Sequence, residues 1–422
     1  MINLTTLPNG LRIITDSVKT VDSVAVGIWA GAGARDEEIS KPGIAHLTEH
    51  MVFKGTKKRS ARQIVESVED AGGDINAYTG REVTAYFIHL LKEDVEMAVD
   101  ILADIIQHST FAEDELERER DVVLQEISMV NDNPEELTFD LFFETAYPGQ
   151  TAGTPILGTD ESIRSASRED IITYTQNVYT PQNLIISAAG NIEHEDLVRL
   201  CEKLFAFLPG DKDKTRHTAL YTGGELRKPK EWEQSHLIFG FSGVPRTAEK
   251  YHAAQAFAFI LGGGMSSRLF QELREKRGLV YSIEAFHTSL SDSGLFGIYT
   301  GTTPDNLEEL VPALTDEIEN VLSGITDAEL ARAKKQMRTS LLMNREKMMH
   351  RVNYQAKNLI YFGSAPDIDE DQKKIESLNR EEIMNFGQSL RQSPLTLTAL
   401  GPVSGLPDYD DIAGSLAEQA LF

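Results

Sequence analysis

In Gly43-Ile44-Ala45-His46-Leu47-Thr48-Glu49-His50-Met51-Val52-Phe53, the residues His46, Glu49 and His50 stand in the order H-x-x-E-H. On a helix, residues four apart share a face, so His46 and His50 aim both imidazoles at one point with Glu49 beside it. Two imidazoles and a nearby carboxylate can hold a zinc ion and activate water on it. Pro42-Gly43 suits a helix start, and Ile44, Ala45, Leu47, Met51, Val52 and Phe53 predict a buried helix. Polar groups set among so many apolar ones need a partner, and a metal is one candidate. A bare His pair at this spacing also fits a polar patch or capped core histidines. Glu directly before the second His makes the arrangement a named zinc motif.

The rest of the composition narrows the class. A chain of 422 residues is too long for one ordinary core, so at least two domains are expected. Lys plus Arg is 41 against 66 Asp plus Glu, a net charge of −25, which argues against nucleic acid as partner. It fits cationic partners, and it fits solubility alone. The single cysteine, Cys201, cannot form a disulfide within the chain and sits in an apolar-periodic helix as a buried thiol. No signal or transit peptide and no apolar run of membrane length is seen, so the expectation is a cytoplasmic protein without a membrane partner.

Outward from the motif, Asn9-Gly10 predicts a hairpin. Ser23–Trp29 reads as a strand and Arg35-Asp36-Glu37 as part of the loop before the motif helix. Ser60 is a plausible N-cap for a helix to Ala71, Asp74–Thr79 an extended segment, and Val83–Leu91 a strand. An acidic helix from Ala112 to about Val130 follows. Within it Glu119 and Glu126 stand seven apart, on one stripe beside Val122, Val123 and Ile127. A third zinc ligand could come from this helix, and spacing does not choose which Glu.

Gly210–Trp232 has no apolar periodicity and reads as a linker. Beyond it the first half recurs. Ile163-x-Ser165-x-x-Arg168-Glu169-Asp170-Ile171 matches Ile375-x-Ser377-x-x-Arg380-Glu381-Glu382-Ile383 at an offset of 212, and Asp114-Glu115-Leu116 matches Ala328-Glu329-Leu330 at 214. Leu184–Gly190 finds Leu395–Gly401. This predicts a tandem duplication. The metal residues do not recur: Phe259-Ile260-Leu261-Gly262-Gly263-Gly264 stands where the motif would be, and Ala333 and Ser340 stand near the places of Glu119 and Glu126. The expected domains are 1–212 (catalytic), a linker 213–232, and 233–422 (metal-free). Gly262-Gly263-Gly264 is not a phosphate loop, because no G-K-[ST] follows. The basic residues Arg274 to Arg277 fit a solvated helix end. Thr326 to about Leu359 reads as one long helix with Met343, Met348 and Met349 as core filler.

Together these features resemble the pitrilysin/insulinase family of zinc metallopeptidases, in its two-domain branch of mitochondrial processing peptidase and bacterial relatives. The resemblance spans essentially the whole chain. It rests on H-L-T-E-H, a Glu 76 residues after the second His, a further Glu seven before that one, Gly72-Gly73-Asp74-Ile75-Asn76-Ala77-Tyr78-Thr79, and the pair Arg274 and Tyr281. It implies an α+β fold of two similar α/β domains, each an antiparallel-rich sheet with helices on one side, as in LuxS-like and processing-peptidase-like metalloenzymes. It implies His46, His50 and Glu126 as ligands of one Zn2+ per chain, Glu119 as a supporting carboxylate, and Glu49 as general base. Asn76, Ala77 and Tyr78 are implied to bind the substrate as an added strand, and Arg274 and Tyr281 to hold it near the scissile bond. The implied activity is a metalloendopeptidase cutting short or unfolded peptides, basic or presequence-like ones given the charge, in a closed chamber. The implied assembly is a homodimer, or a heterodimer with a related subunit, in which Arg274 and Tyr281 of one chain serve the zinc of the other. The alternative is a non-catalytic or partner-dependent subunit of such a complex.

Overall fold

The computed structural model describes residues 2–206, 208 and 216–418. The chain forms two compact units. The first holds Met1–Met129, Thr154–His217 and Leu342–Asp367; the second holds Val130–Gly153, Thr218–Leu341 and Ile368–Phe422. Each half of the sequence therefore lends one segment to the other unit.

The first unit is built on a six-stranded sheet of β1 (Ile2–Thr6), β2 (Arg12–Ser17), β3 (Ser23–Ala30), β4 (Asp74–Thr79), β5 (Thr84–Leu91) and β6 (Leu184–Gly190), in the order β1-β2-β6-β3-β5-β4. Among the described strands of this sheet, only β2 and β6 run parallel. The Asn9-Gly10 turn joins β1 and β2 as expected, with Gly10 at φ 92° and its N–H bonded to the Leu7 carbonyl. Strand residues alternate between two cores. Ile13, Val24, Val26, Ile28, Tyr86, Ile88 and Ile186 face the main helical layer. Ile14, Ala25, Trp29, Ala85, Ile185 and Ala189 face the opposite way, onto Val352, Ala356 and Leu359 of the helix Met348–Phe362. Burial on both faces is why β3 and β6 read as continuous apolar runs rather than alternating ones.

The second unit has β7 (Gly224–Pro229), β8 (Ser235–Ser242), β9 (Val280–Ser289), β10 (Gly294–Thr302) and β11 (Thr396–Gly401), in the order β7-β11-β8-β10-β9. Strand for strand this repeats β2-β6-β3-β5-β4, down to one parallel pair, β7 with β11. The duplicated helix starts also agree: Ser167 caps Arg168–Val178, and Asn379 caps Arg380–Leu390, each by accepting the N–H three residues on. The outer face of this sheet is covered by the helix Pro134–Ala146, whose Phe142 and Ala146 pack with Ile238 and Tyr299. Among the described residues, most helices of each unit lie on one side of its sheet, and one exchanged helix covers the other.

Two expectations need correction. The stretch read as a linker contains β7, an edge strand whose half-exposed residues leave no apolar alternation; residues 210–215 of that stretch lie outside the described residues. The long helix expected to Leu359 is two helices, Asp327–Asn344 and Met348–Phe362. Tight turns end the first, with the N–H groups of Arg345, Glu346 and Lys347 each bonded three residues back. The helices belong to different units, so their apolar faces serve different sheets. Met348 and Met349 pack on the first unit's outer core, whereas Met343 is 60% exposed and fills none.

Candidate metal centre

The motif helix, α1 (Ile44–Val52), starts from Gly43 in the left-handed region at φ 92°. A Cβ on Gly43 would lie 2.6 Å from the Leu157 carbonyl oxygen and 2.8 Å from Gly158 Cα, so glycine is required there twice over. The first turn is held by Glu37, which accepts the N–H of Gly43 at 3.0 Å and of Ala45 at 2.7 Å. These are helix-start donors that would otherwise be orphaned. Burial pushes the Glu37 carboxyl up to about 8, against the lowering effect of the two N–H bonds. The loop carrying Glu37 is fixed by buried ion pairs: Arg35 to Glu82 at 2.6 Å, and Arg216 to Glu82 at 3.0 Å and to Asp36 at 2.7 Å. Sequence reading placed Arg35-Asp36-Glu37 in this loop but gave no role to Glu37; a carboxylate a few residues before a helix start was the available signal.

Ile44, Ala45, Leu47, Met51 and Val52 are buried in the main core, which leaves His46, Glu49 and His50 on the remaining face. The two imidazole rings are 4.6 Å apart between centroids. Glu126 comes from α2 (Glu113–Asp132), pinned to the same core by Leu116, Val123 and Ile127. Its Oε2 lies 3.7 Å from His46 Nε2 and 3.6 Å from His50 Nε2. These separations are too long for hydrogen bonds. They approach the roughly 3.4 Å expected between two donors sharing a tetrahedral zinc at ~2.1 Å each. Glu126 Oε2 is buried with no hydrogen-bond partner, and ligand atoms of His46, His50 and Glu126 all lie within 4.8 Å of one another. Two nitrogens and a carboxylate oxygen converging on one point fit a zinc ion.

The surrounding residues orient this set. His50 Nδ1 is 3.0 Å from Glu119 Oε2, and Lys54 Nζ is 2.7 Å from Glu119 Oε1. Burial raises the Glu119 carboxyl, but the bonds to His50 and Lys54 outweigh it and leave it below the usual value. His50 in turn is held above its ordinary value, its burial overcome by Glu119 and the neighbouring carboxylates. His46 is pushed down to about 4 by burial and by His50. Lys54, one turn after His50, was not singled out from the sequence. Glu49 accepts a hydrogen bond from Thr79 Oγ1 at 2.5 Å. Burial raises its carboxyl, partly countered by that bond.

The other expected residues are not among the three that could hold a metal. β4 is the edge strand of the first sheet. Thr79 on it faces Glu49, whereas the Tyr78 hydroxyl points the other way and donates to Asn353 Oδ1 at 2.6 Å. Asn76 is exposed and accepts from the Ala77 N–H at 2.8 Å. Arg274 and Tyr281 belong to the second unit. Arg274 lies in a π-helical segment, Phe270–Lys276, with its guanidinium 4.7 Å from the Phe270 ring and 5.8 Å from the Tyr281 ring. Tyr281 is 72% exposed.

Comparison with known proteins agrees with this architecture. Residues 12–160 match the family model described as insulinase (peptidase family M16), and residues 165–337 match the peptidase M16 inactive domain. An uncharacterized zinc protease of Rickettsia felis is 39% identical over 95% of this chain and 97% of its own length. A second, from Bacillus subtilis, is 37% identical over 96% of this chain and its full length. The crystal structure of a protease from Helicobacter pylori superposes with a TM-score of 0.89 at 24% identity, covering 95% of this chain and 99% of that one. The chain therefore belongs to the insulinase, or M16, family of peptidases, whose similar members here are named zinc proteases. The metal cluster lies within the stretch that matches the insulinase model. Among the described residues no helix is long and apolar enough to cross a membrane.

Proposed function

We propose that this chain is a zinc-dependent endopeptidase that hydrolyses short or unfolded peptides. The observation that carries the reading is the convergence of His46 Nε2, His50 Nε2 and the unpartnered Glu126 Oε2 on one point. A zinc ion held there supplies Lewis-acid polarisation and lowers the pKa of water toward ~7. His46, His50 and Glu126 hold the ion. Glu119 fixes the ring plane and tautomer of His50, and Lys54 fixes Glu119. Glu49, outside the ligand set and anchored by Thr79, takes a proton from the attacking water and returns it to the leaving amine. The edge of β4 receives the peptide as an added strand, with Asn76, Ala77 and Tyr78 along it.

Arg274 and Tyr281 stabilise the developing oxyanion or hold the peptide carbonyls. In this reading the active form is a closed homodimer, and the pair serves the metal centre of the other protomer. The exposure of Tyr281 supports a role outside its own unit. Mixing Glu49→Gln chains with Tyr281→Phe chains restores activity if the pair acts across protomers, and recovers none if it does not. The net charge of −25 supports a preference for basic peptides, which disappears in high salt if it is electrostatic.

Gel filtration with zinc analysis and a peptide assay tests the main reading. One zinc per chain and cleavage by the purified homodimer are expected. A chain that binds zinc but cleaves nothing until a related subunit is added points instead to the partner-dependent alternative.

A further inference from the structure

Beside β4, on the face of the first sheet away from the metal centre, a cation is set without a counter-ion. Lys357 of the helix Met348–Phe362 holds its Nζ 5.2 Å from the centre of the Tyr78 ring. Lys357 has no ion pair or hydrogen bond through its ammonium among the described residues. Burial alone holds its pKa below the ordinary lysine range. The Tyr78 ring under it is fixed by the hydrogen bond to Asn353, which also accepts from Trp29 Nε1 at 3.1 Å. Two turns back on the same helix, His350 Nδ1 is buried and unpartnered, its ring stacked on Tyr354. In a chain with a net charge of −25, an unpaired, partly desolvated ammonium is conspicuous. Such a group costs free energy unless an anion joins it.

Side chains alternate along a strand, so Asn76 and Tyr78 share the face that Lys357 occupies. A peptide paired to the edge of β4 places every second side chain on that same face. We propose that Lys357, backed by Tyr78, is a specificity subsite that takes a carboxylate of the peptide substrate. The carboxylate is either an Asp or Glu side chain at an alternate position from the scissile bond or the free C-terminus. This rests on the peptidase reading above. It sets one local acidic requirement against the general attraction of an acidic protein for basic peptides.

The test uses quenched-fluorescence peptides on the full-length zinc-loaded protein. One pair differs by Glu or Gln at successive positions, and the other ends in a free acid or an amide. In the wild type the carboxylate member is expected to have a kcat/KM about 10- to 150-fold higher at one register, the size of a charge-assisted hydrogen bond. The ratio falls to about one in Lys357→Met, which keeps the buried stem, and is retained in Lys357→Arg. A Glu/Gln effect identifies an internal acidic residue, and an acid/amide effect identifies the chain end. A ratio near one for both pairs in the wild type, or a ratio that Lys357→Met leaves unchanged, overturns the proposal. The same peptides are also bound to Glu49→Gln protein and followed by fluorescence anisotropy. Carboxylate-selective binding that Lys357→Met abolishes, with no cleavage by the wild type, supports the subsite while rejecting the peptidase reading.

Discussion

His50 Nδ1 lies 3.0 Å from Glu119 Oε2, so the ring's other nitrogen, Nε2, is the one left to face Glu126. A neutral imidazole that donates from Nδ1 carries its lone pair on Nε2, the form a metal needs. Glu119 is itself fixed from its other oxygen by Lys54 at 2.7 Å.

Glu119→Gln keeps the shape but weakens the acceptor for His50, and leaves Lys54 without its carboxylate. Zinc affinity is expected to fall about 10- to 100-fold, the usual effect of losing a partner of a ligating His. Competition with a fluorescent chelator measures it. Unchanged affinity would remove Glu119 from the metal centre.

Glu37 predicts a pH dependence of stability in the zinc-free protein. Its carboxyl is held up to about 8 by burial, whereas in an unfolded chain it titrates near ~4.3. Between those values the folded state holds a proton that the unfolded state has released. Stability therefore falls as pH rises through this window, by up to ~1.4 kcal/mol per pH unit. Glu37→Gln, neutral at every pH, should flatten that part of the profile in urea titrations at pH 5 to 8. Glu37→Ala should instead destabilise at all pH values by about 1–3 kcal/mol per abandoned N–H, because Gly43 and Ala45 lose their acceptor.

Gly43→Ala forces a Cβ into the left-handed region and against the Leu157 carbonyl. A cost of at least ~1–3 kcal/mol is expected, with weaker zinc binding because α1 begins there. Thermal unfolding with and without zinc reads both effects.

The His46–His50 pair and the duplication were plain in the sequence. H-x-x-E-H is local, and helix geometry converts its spacing directly into a shared face. Glu126 was legible only as one of several carboxylates on an acidic helix; its partners are more than seventy residues away, and the family resemblance chose it. Lys54 escaped because it acts through a tertiary contact that no periodicity marks; Glu37 escaped because it holds the helix start from six residues before Gly43, outside the usual N-cap position. Met348–Phe362 was read as the end of one long helix from Thr326, and no local signal tells which sheet it or Pro134–Ala146 will cover. β7 was missed for a related reason: an edge strand with half-exposed residues looks like a loop until its partner, β11, is known.

The central claim is that Glu49 moves protons while His46, His50 and Glu126 hold zinc. It is tested most directly by zinc content and peptide cleavage of Glu49→Gln measured on the same preparation. The account predicts one zinc per chain, as in the wild type, and a loss of cleavage of at least ~10²-fold, the scale of general acid–base catalysis. Cleavage at the wild-type rate with zinc bound would contradict it.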